Sequence, residues 1–255
     1  MLEALPTPRE EASVCPDTVR TKPFFRSLAL TVLSSTIALC AIVGATLSPM
    51  QAVACDCVTV KVPESVPADI DAQNGYKWSL TPACQTEFHD AIEKAKAFCT
   101  DYQAKHPNEK LAIVSDIDET VLDNRPALKD FTHDDWTKFF AWVQEAKAPK
   151  LKESADFLAW AREKGYFIFF ITGRHERDRV ATMINLNRQG FAYDALYLRV
   201  EGDKRLAEIY KAEVRDQIEK QGFVVVENIG DQYSDLVGGH SIDCQKLPNK
   251  MYFIP

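Results

Sequence analysis

The chain has 255 residues, of which 46 % are hydrophobic and 26 % are charged, and its formal net charge is −7. This acidic balance argues against a nucleic-acid polymer as partner, because binding to a phosphate backbone needs a basic patch. Small phosphate esters remain compatible with it, since local cations can concentrate the field at a site whatever the overall charge. The length is sufficient for one domain after an N-terminal targeting segment.

Residues 1–54 have the pattern of an export signal with a long n-region. An uncharged run of 20 residues, 28–47, follows Lys22 and Arg26, and the small-residue cleavage pattern AVA comes after it at 52–54. A run of this length can also span a bilayer, so an uncleaved membrane anchor is the alternative. We expect an exported protein, either periplasmic or secreted.

Cys55 directly follows the cleavage pattern and offers a second mode of export, in which its thiol carries a lipid. A lipidation signal usually has Leu three residues before the cysteine, whereas this chain has Ala52. Free export and a lipid anchor therefore both stay open. The expected membrane contact is limited to such an anchor at Cys55.

Residues 55–83 are expected to form an N-terminal extension, and residues 84–255 the folded domain. Export permits disulfides. Cys84 and Cys99 bracket a segment with helical spacing, and on one helix they would lie about 22 Å apart, which is too far to bridge. A bond from either of them to Cys244 is the favoured pairing.

The first predicted strand, residues 111–116, delivers two carboxylates to one place. Asp116 and Asp118 lie two residues apart, so on an extended backbone they point to the same side. Two such carboxylates repel each other unless a cation or a shared proton compensates them. Hard oxygen ligands suit Mg²⁺, which binds carboxylates together with a substrate phosphate. The pair indicates phosphoryl chemistry, and an acidic turn is the simpler alternative.

The segment after this strand carries four aromatic side chains, Trp136, Phe139, Phe140 and Trp142. The spacing i, i+3, i+4 places the first three on one helical face, and such a face usually packs against the protein. The alternative is that Trp136 or Trp142 stacks on the part of a substrate that carries no phosphate.

Three further apolar runs alternate with segments of helical spacing. The predicted strands are 166–171, 195–199 and 223–227, and the predicted helices are 154–164, 176–189 and 204–221. This alternation is typical of an α/β fold, a Rossmann-like parallel sheet with helices on both faces. Sites in such sheets form beyond the carboxyl ends of the strands, where the polar motifs of this chain fall.

Four sequence strings carry a family resemblance. The string DIDETVLDN at 116–124 resembles the first motif of the haloacid dehalogenase superfamily, in the form found in class C acid phosphatases and plant vegetative storage proteins. The strings TGRHERDR at 172–179, YKAEVR at 210–215 and GDQYSD at 230–235 follow in the order of that family. Four motifs in the right order make coincidence a poor explanation.

The resemblance implies an exported acid phosphatase that needs Mg²⁺ and hydrolyses small phosphomonoesters through an aspartyl-phosphate. It implies a small cap at about 124–151, a nucleophile at Asp116 and a general acid/base at Asp118. Lys211 is the expected phosphoryl-neutralising lysine, with Lys204 as the alternative. The resemblance further implies phosphate binding by Thr172 and substrate binding by Gly173, Arg174 and Trp136. The implied metal ligands are Asp116, the Asp118 carbonyl, Asp231 and Asp235. Asp235 would act through water or by orienting Lys211.

Two other functions stay open. Storage members of the family can keep the fold and lose the nucleophile, which would leave a non-catalytic storage or ligand-binding protein; the presence of Asp116 counts against this. Alternatively, water activated by the metal attacks phosphorus directly and no covalent intermediate forms.

Overall fold

The computed structural model describes residues 60, 63–130, 132 and 136–254. The predicted export signal and Cys55 lie outside these residues. Across the part of the chain that is described, no helix combines the length and the apolar character needed to cross a membrane.

Five parallel strands form one sheet in the order β3-β2-β1-β4-β5. Their bounds are β1 Leu111–Ser115, β2 Phe167–His175, β3 Ala195–Arg199, β4 Val224–Gly230 and β5 Asp243–Lys246. The predicted parallel α/β sheet is confirmed, and β1 is buried along its whole length because helices cover both faces. The sequence did not reveal β5, a four-residue edge strand in which Cys244 alone is buried.

Eight α-helices are present among the described residues: α1 Ala72–Ser79, α2 Pro82–Lys105, α3 Arg125–Leu128, α4 Thr137–Glu145, α5 Lys152–Glu163, α6 Arg179–Arg188, α7 Ala207–Lys220 and α8 Tyr233–Leu236. The predicted helix at 176–189 begins with a 3₁₀ turn, Glu176–Asp178, because β2 continues to His175. The predicted helix at 204–221 starts later, since the Asp203 side chain accepts the backbone N–H of Arg205 and holds a turn there.

Two apolar layers enclose the sheet. Alternate residues of a strand point to opposite faces, so Ile113 of β1 packs into the layer beneath α2 and α5, whereas Val114 packs into the layer beneath α7. The carboxyl ends of β1, β2 and β4 therefore lie side by side between the two helical layers.

The predicted cap region contains α3 and α4, which pack on α1 and on the C-terminal segment. Phe139 and Leu128 share an apolar cluster with Ala72 and Tyr252. Gly75 of α1 approaches the C-terminal segment so closely that a Cβ would lie 2.1 Å from the Lys250 carbonyl oxygen. The helix in the predicted N-terminal extension thus packs against the domain.

The favoured disulfide is absent, because Cys84 and Cys99 are both buried free thiols and neither is bonded to Cys244. Cys84 and Cys99 do lie on one helix, the 24-residue α2, as their spacing predicted. Cys99 packs into the core layer that contains Tyr166, and burial raises the pKa of both helical thiols. These two cysteines behave as small apolar side chains.

Candidate active site

Lys211 joins two carboxylates at the carboxyl edge of the sheet. Its ammonium, carried by α7, lies 2.6 Å from Oδ1 of Asp116 after β1 and 2.5 Å from Oδ1 of Asp235 in α8. All three side chains are buried. Burial lowers the pKa of Lys211, but the charges of Asp116 and Asp235 outweigh it and hold that pKa above its usual range. Lys204, the alternative, is exposed in the loop before α7.

In the motif GDQYSD, the side chains of both aspartates, Asp231 and Asp235, line the cavity. A Cβ on Gly230 would lie 2.4 Å from the Cβ of Asp235, so only glycine fits at the end of β4. The backbone N–H of Gln232 donates to Asp235 Oδ2 at 2.8 Å. Asp231 is buried and accepts hydrogen bonds from the side chains of Thr120, Gln232 and Asn249.

Asp116, Asp231 and Asp235 each offer one carboxylate oxygen to a group whose members lie within 4.8 Å of one another. Burial raises the pKa of Asp116 well above its usual range and that of Asp231 to about 6, and repulsion from Asp235 adds to both effects. Against these three carboxylates stand the ammonium of Lys211, which contacts two of them, and at longer range that of Lys246, whose charge lowers the pKa of Asp231. The remaining excess of negative charge and the hard oxygen donors fit a divalent cation such as Mg²⁺.

The Asp118 carboxylate points away from this group and pairs with Arg174. The guanidinium Nη2 lies 2.6 Å from Asp118 Oδ1, and its Nε lies 3.1 Å from Oδ2. Arg174 also donates to the hydroxyl of Thr182 at 3.0 Å. Arg174, which was predicted to bind substrate, lines the cavity, but its two-point contact with Asp118 instead fixes the orientation of that carboxylate.

Asn124 supports Asp118 from the other side. Its Nδ2 donates to Asp118 Oδ1 at 2.8 Å, and its own Oδ1 accepts the indole N–H of Trp142 at 3.1 Å. Trp142 does not line the cavity in the described structure, so the stacking role weighed for it is not supported. Its contacts explain why: the ring packs against the core, and the polar edge holds Asn124.

Thr172 and Gly173 lie where β2 passes the site. Thr172 is fully buried, and its hydroxyl accepts the backbone N–H of Arg174 at 3.2 Å. Gly173 lines the cavity, whereas Thr172 is not among its lining residues. The contact of the Thr172 hydroxyl with a phosphate oxygen stays a prediction.

A cavity of about 260 Å³ opens above the carboxylates, and aromatic rings form one of its walls. Trp136 meets Phe139 and Tyr252 edge to face, with both centroid separations 5.4 Å. Phe140 completes this wall. The aromatic face predicted from spacing therefore packs on the cap and also borders the substrate space.

Three residues at the site, Glu119, Asn124 and Tyr252, had no role assigned from the sequence. Glu119, at φ 53°, accepts hydrogen bonds from the Tyr252 hydroxyl and from the backbone N–H of Asn124. Burial raises the pKa of Glu119 well above its usual range. Glu119 and Asn124 belong to the string DIDETVLDN, which was a usable signal, whereas nothing in the local sequence marked Tyr252.

Arg215 fixes the loop that follows Asp235. Its guanidinium donates to the carbonyls of Asp235 at 2.6 Å and Gly239 at 2.8 Å, and also to that of Val237. Lys211 and Arg215 are one helical turn apart on α7, so both face this loop. The spacing K-x-x-x-R thus places one cation on the carboxylates and the next on the backbone that presents one of them.

The fold and the site define a parallel α/β protein with an aspartate and lysine centre at the carboxyl ends of its central strands. Residues 43–255 match the family model described as HAD superfamily, subfamily IIIB (acid phosphatase). The chain belongs to this family, and the resemblance found in the motifs is confirmed.

Individual relatives agree with the family. Acid phosphatase 1 of Solanum lycopersicum is 38 % identical over 148 residues, which are 55 % of this chain and 58 % of that protein. The stem 28 kDa glycoprotein of Glycine max is 34 % identical over 158 residues, 58 % of this chain and 61 % of that protein. Vegetative storage protein 1 of Arabidopsis thaliana is 28 % identical over 148 residues, 56 % of this chain and 55 % of that protein. The chain therefore spans about three fifths of the length of these relatives.

A solved structure has the same fold. The class C acid phosphatase from Bacillus anthracis superposes with a TM-score of 0.60 at 25 % identity, over 71 % of this chain and 85 % of that one.

Proposed function

We propose that this protein is an exported acid phosphatase that requires Mg²⁺ and hydrolyses small phosphomonoesters through an aspartyl-phosphate on Asp116. The observation that carries the proposal is the buried contact of the Lys211 ammonium with both Asp116 and Asp235, next to Asp231. Membership of the acid phosphatase family supports the activity. The sequence pattern of residues 1–54 supports export.

Asp116 has a carboxylate oxygen available for attack. Among the described residues, the one hydrogen bond to its carboxylate comes from Lys211 to Oδ1, which leaves Oδ2 without a donor. In the proposed first step, Oδ2 forms a bond to phosphorus while the bond from phosphorus to the ester oxygen breaks. Lys211 neutralises charge on the nucleophile and on the transferring phosphoryl group.

In the proposed mechanism, Asp118 moves the protons of both steps. It is 16 % exposed at the cavity, and Arg174 and Asn124 fix its orientation. Protonated Asp118 gives its proton to the leaving ester oxygen, and the resulting carboxylate then takes a proton from the water that attacks the phosphoenzyme. That attack breaks the bond between Asp116 Oδ2 and phosphorus and releases inorganic phosphate.

The proposed Mg²⁺ ligands are Asp116, Asp231 and the backbone carbonyl of Asp118, with Asp235 acting through water or through Lys211. When bound, Mg²⁺ withdraws charge from the phosphoryl oxygens and favours attack by an anionic carboxylate. The charge excess of the carboxylate group supports a divalent ion in this place.

A storage role is the second candidate, because stem glycoproteins and vegetative storage proteins are among the similar proteins. An aryl phosphate assay separates the two candidates. We expect turnover that chelation abolishes and Mg²⁺ restores. The control variant Asp101→Asn, which changes an exposed residue of α2, should leave turnover intact. A purified, folded protein that releases no phosphate from any aryl or nucleoside phosphate with Mg²⁺ would favour storage.

A further inference from the structure

Arg199 brings a cation to the active-site cavity that neither the motifs nor the proposed mechanism uses. It is the last residue of β3 and lines the same cavity as Asp116 and Lys211. Its Nη2 donates to the carbonyls of Asp203 and Arg205, and its buried Nε has no hydrogen-bond partner. Its side chain is 16 % exposed.

The other cations that line the cavity are already paired. Lys211 contacts Asp116 and Asp235, and Arg174 forms a two-point contact with Asp118. The carboxylate nearest to Arg199 belongs to Asp203 and lies 3.9 Å away. Within the described residues, no carboxylate is hydrogen-bonded to Arg199, and the Asp203 carboxylate accepts its hydrogen bonds from Arg205 instead, so Arg199 can attract an anion from the cavity.

Arg199 belongs to a strand that is not adjacent to the strand of the nucleophile, whereas Lys211 contacts Asp116 directly. Strand β2 separates β3 from β1, and two strand spacings correspond to about 10 Å. An anion at Arg199 would therefore belong to the leaving group, several bonds from phosphorus.

We propose that Arg199 binds a carboxylate on the leaving group of a phosphomonoester, so that the preferred substrates carry a second negative charge. A single guanidinium with Asp203 nearby suits a monoanion better than a dianionic phosphate. The aromatic wall of Trp136, Phe140 and Tyr252 suits a flat spacer between the two anions. This proposal deepens the proposed function and rests on it for the orientation of the substrate.

A purely structural role of Arg199 predicts a different result. If Arg199 only holds the loop at 203–205 through its two carbonyl contacts, its loss affects every ligand alike. Ligands that differ in the second charge alone distinguish these roles. Suitable probes are 4-carboxybenzyl phosphonate and its neutral carboxamide, which have nearly the same shape and are not hydrolysed.

The test is calorimetric titration of each phosphonate into the full chain with Mg²⁺ bound. We expect the carboxylate to bind about tenfold more tightly than the carboxamide, the scale of one charge-assisted hydrogen bond. Arg199→Gln should bring the ratio of the two dissociation constants close to one, and Arg199→Lys should retain part of it. The matched control Lys204→Gln removes an exposed charge from the same loop and should keep the ratio.

Equal binding of the two phosphonates by the unmodified protein, or an unchanged ratio in Arg199→Gln, would overturn the proposal. Turnover of 4-carboxyphenyl phosphate by the unmodified protein is measured separately. If the unmodified protein does not hydrolyse this ester, the proposed phosphatase activity is refuted. The ratio of the two dissociation constants tests the role of Arg199 in either case.

Discussion

Replacing Lys211 by Met tests whether this lysine offsets the charges of the buried carboxylates. Methionine has a similar length and no charge, so Asp116 and Asp235 would keep their burial and lose their shared cation. Removing one partner of a buried pair costs about 3 to 5 kcal/mol. For a domain of this size we expect a fall in melting temperature of roughly 6 to 20 °C.

The assay is thermal unfolding of the metal-free protein at neutral pH, followed by circular dichroism. Lys220→Met is the matched control on the same helix, because Lys220 is 72 % exposed and its pair with Asp216 is screened by solvent. Excess Mg²⁺ should return part of the lost stability to Lys211→Met, since a divalent ion compensates the same carboxylates. Equal melting temperatures for Lys211→Met and Lys220→Met would refute the electrostatic role.

Three further predictions concern the acid, the metal ligand and the aromatic wall. Asp118→Asn should impair alkyl phosphates far more than nitrophenyl phosphate, whose leaving group needs little protonation; equal losses in kcat would remove the general-acid role. In metal-free protein, the stability difference between the natural chain and Asp231→Asn should fall as pH rises from 3.8 to about 6, because the folded state binds a proton there that the unfolded chain has released. This fall amounts to roughly 3 kcal/mol, and urea titrations in which the stability difference rises with pH would contradict the burial argument. Trp136→Ala should raise KM for nucleoside monophosphates about tenfold and leave glycerol phosphate turnover unchanged if the ring stacks on substrate; a loss of stability with no change in substrate preference would assign it to packing.

The sheet and its polar edge could be predicted because both leave local signals. Strands β1 and β2 are buried on both faces, so they read as continuous apolar runs. Parallel topology then brings Asp116 and Asp231 to one edge without further information. The edge strand β5 left no such run, because only one of its residues needs to be buried.

The remaining contacts depend on how distant segments meet. Tyr252 reaches Glu119 across 133 positions, and Asn249 reaches Asp231 across 18. Spacing alone did not show that Trp142 would turn its indole N–H to Asn124 and away from the substrate space. Nor did it show that Arg174 would hold Asp118, because both polar pairings are fixed by tertiary packing.

The most direct test of the proposed mechanism is to trap the phosphoenzyme. Protein is mixed with excess aryl phosphate and Mg²⁺, quenched in acid within the first turnover, digested and examined by mass spectrometry. We expect a phosphoryl group on the peptide that contains Asp116, and its loss together with the loss of turnover in Asp116→Asn. An active enzyme with no phosphorylated peptide, or an Asp116→Asn variant that still releases phosphate at a substantial rate, would contradict a covalent role for Asp116.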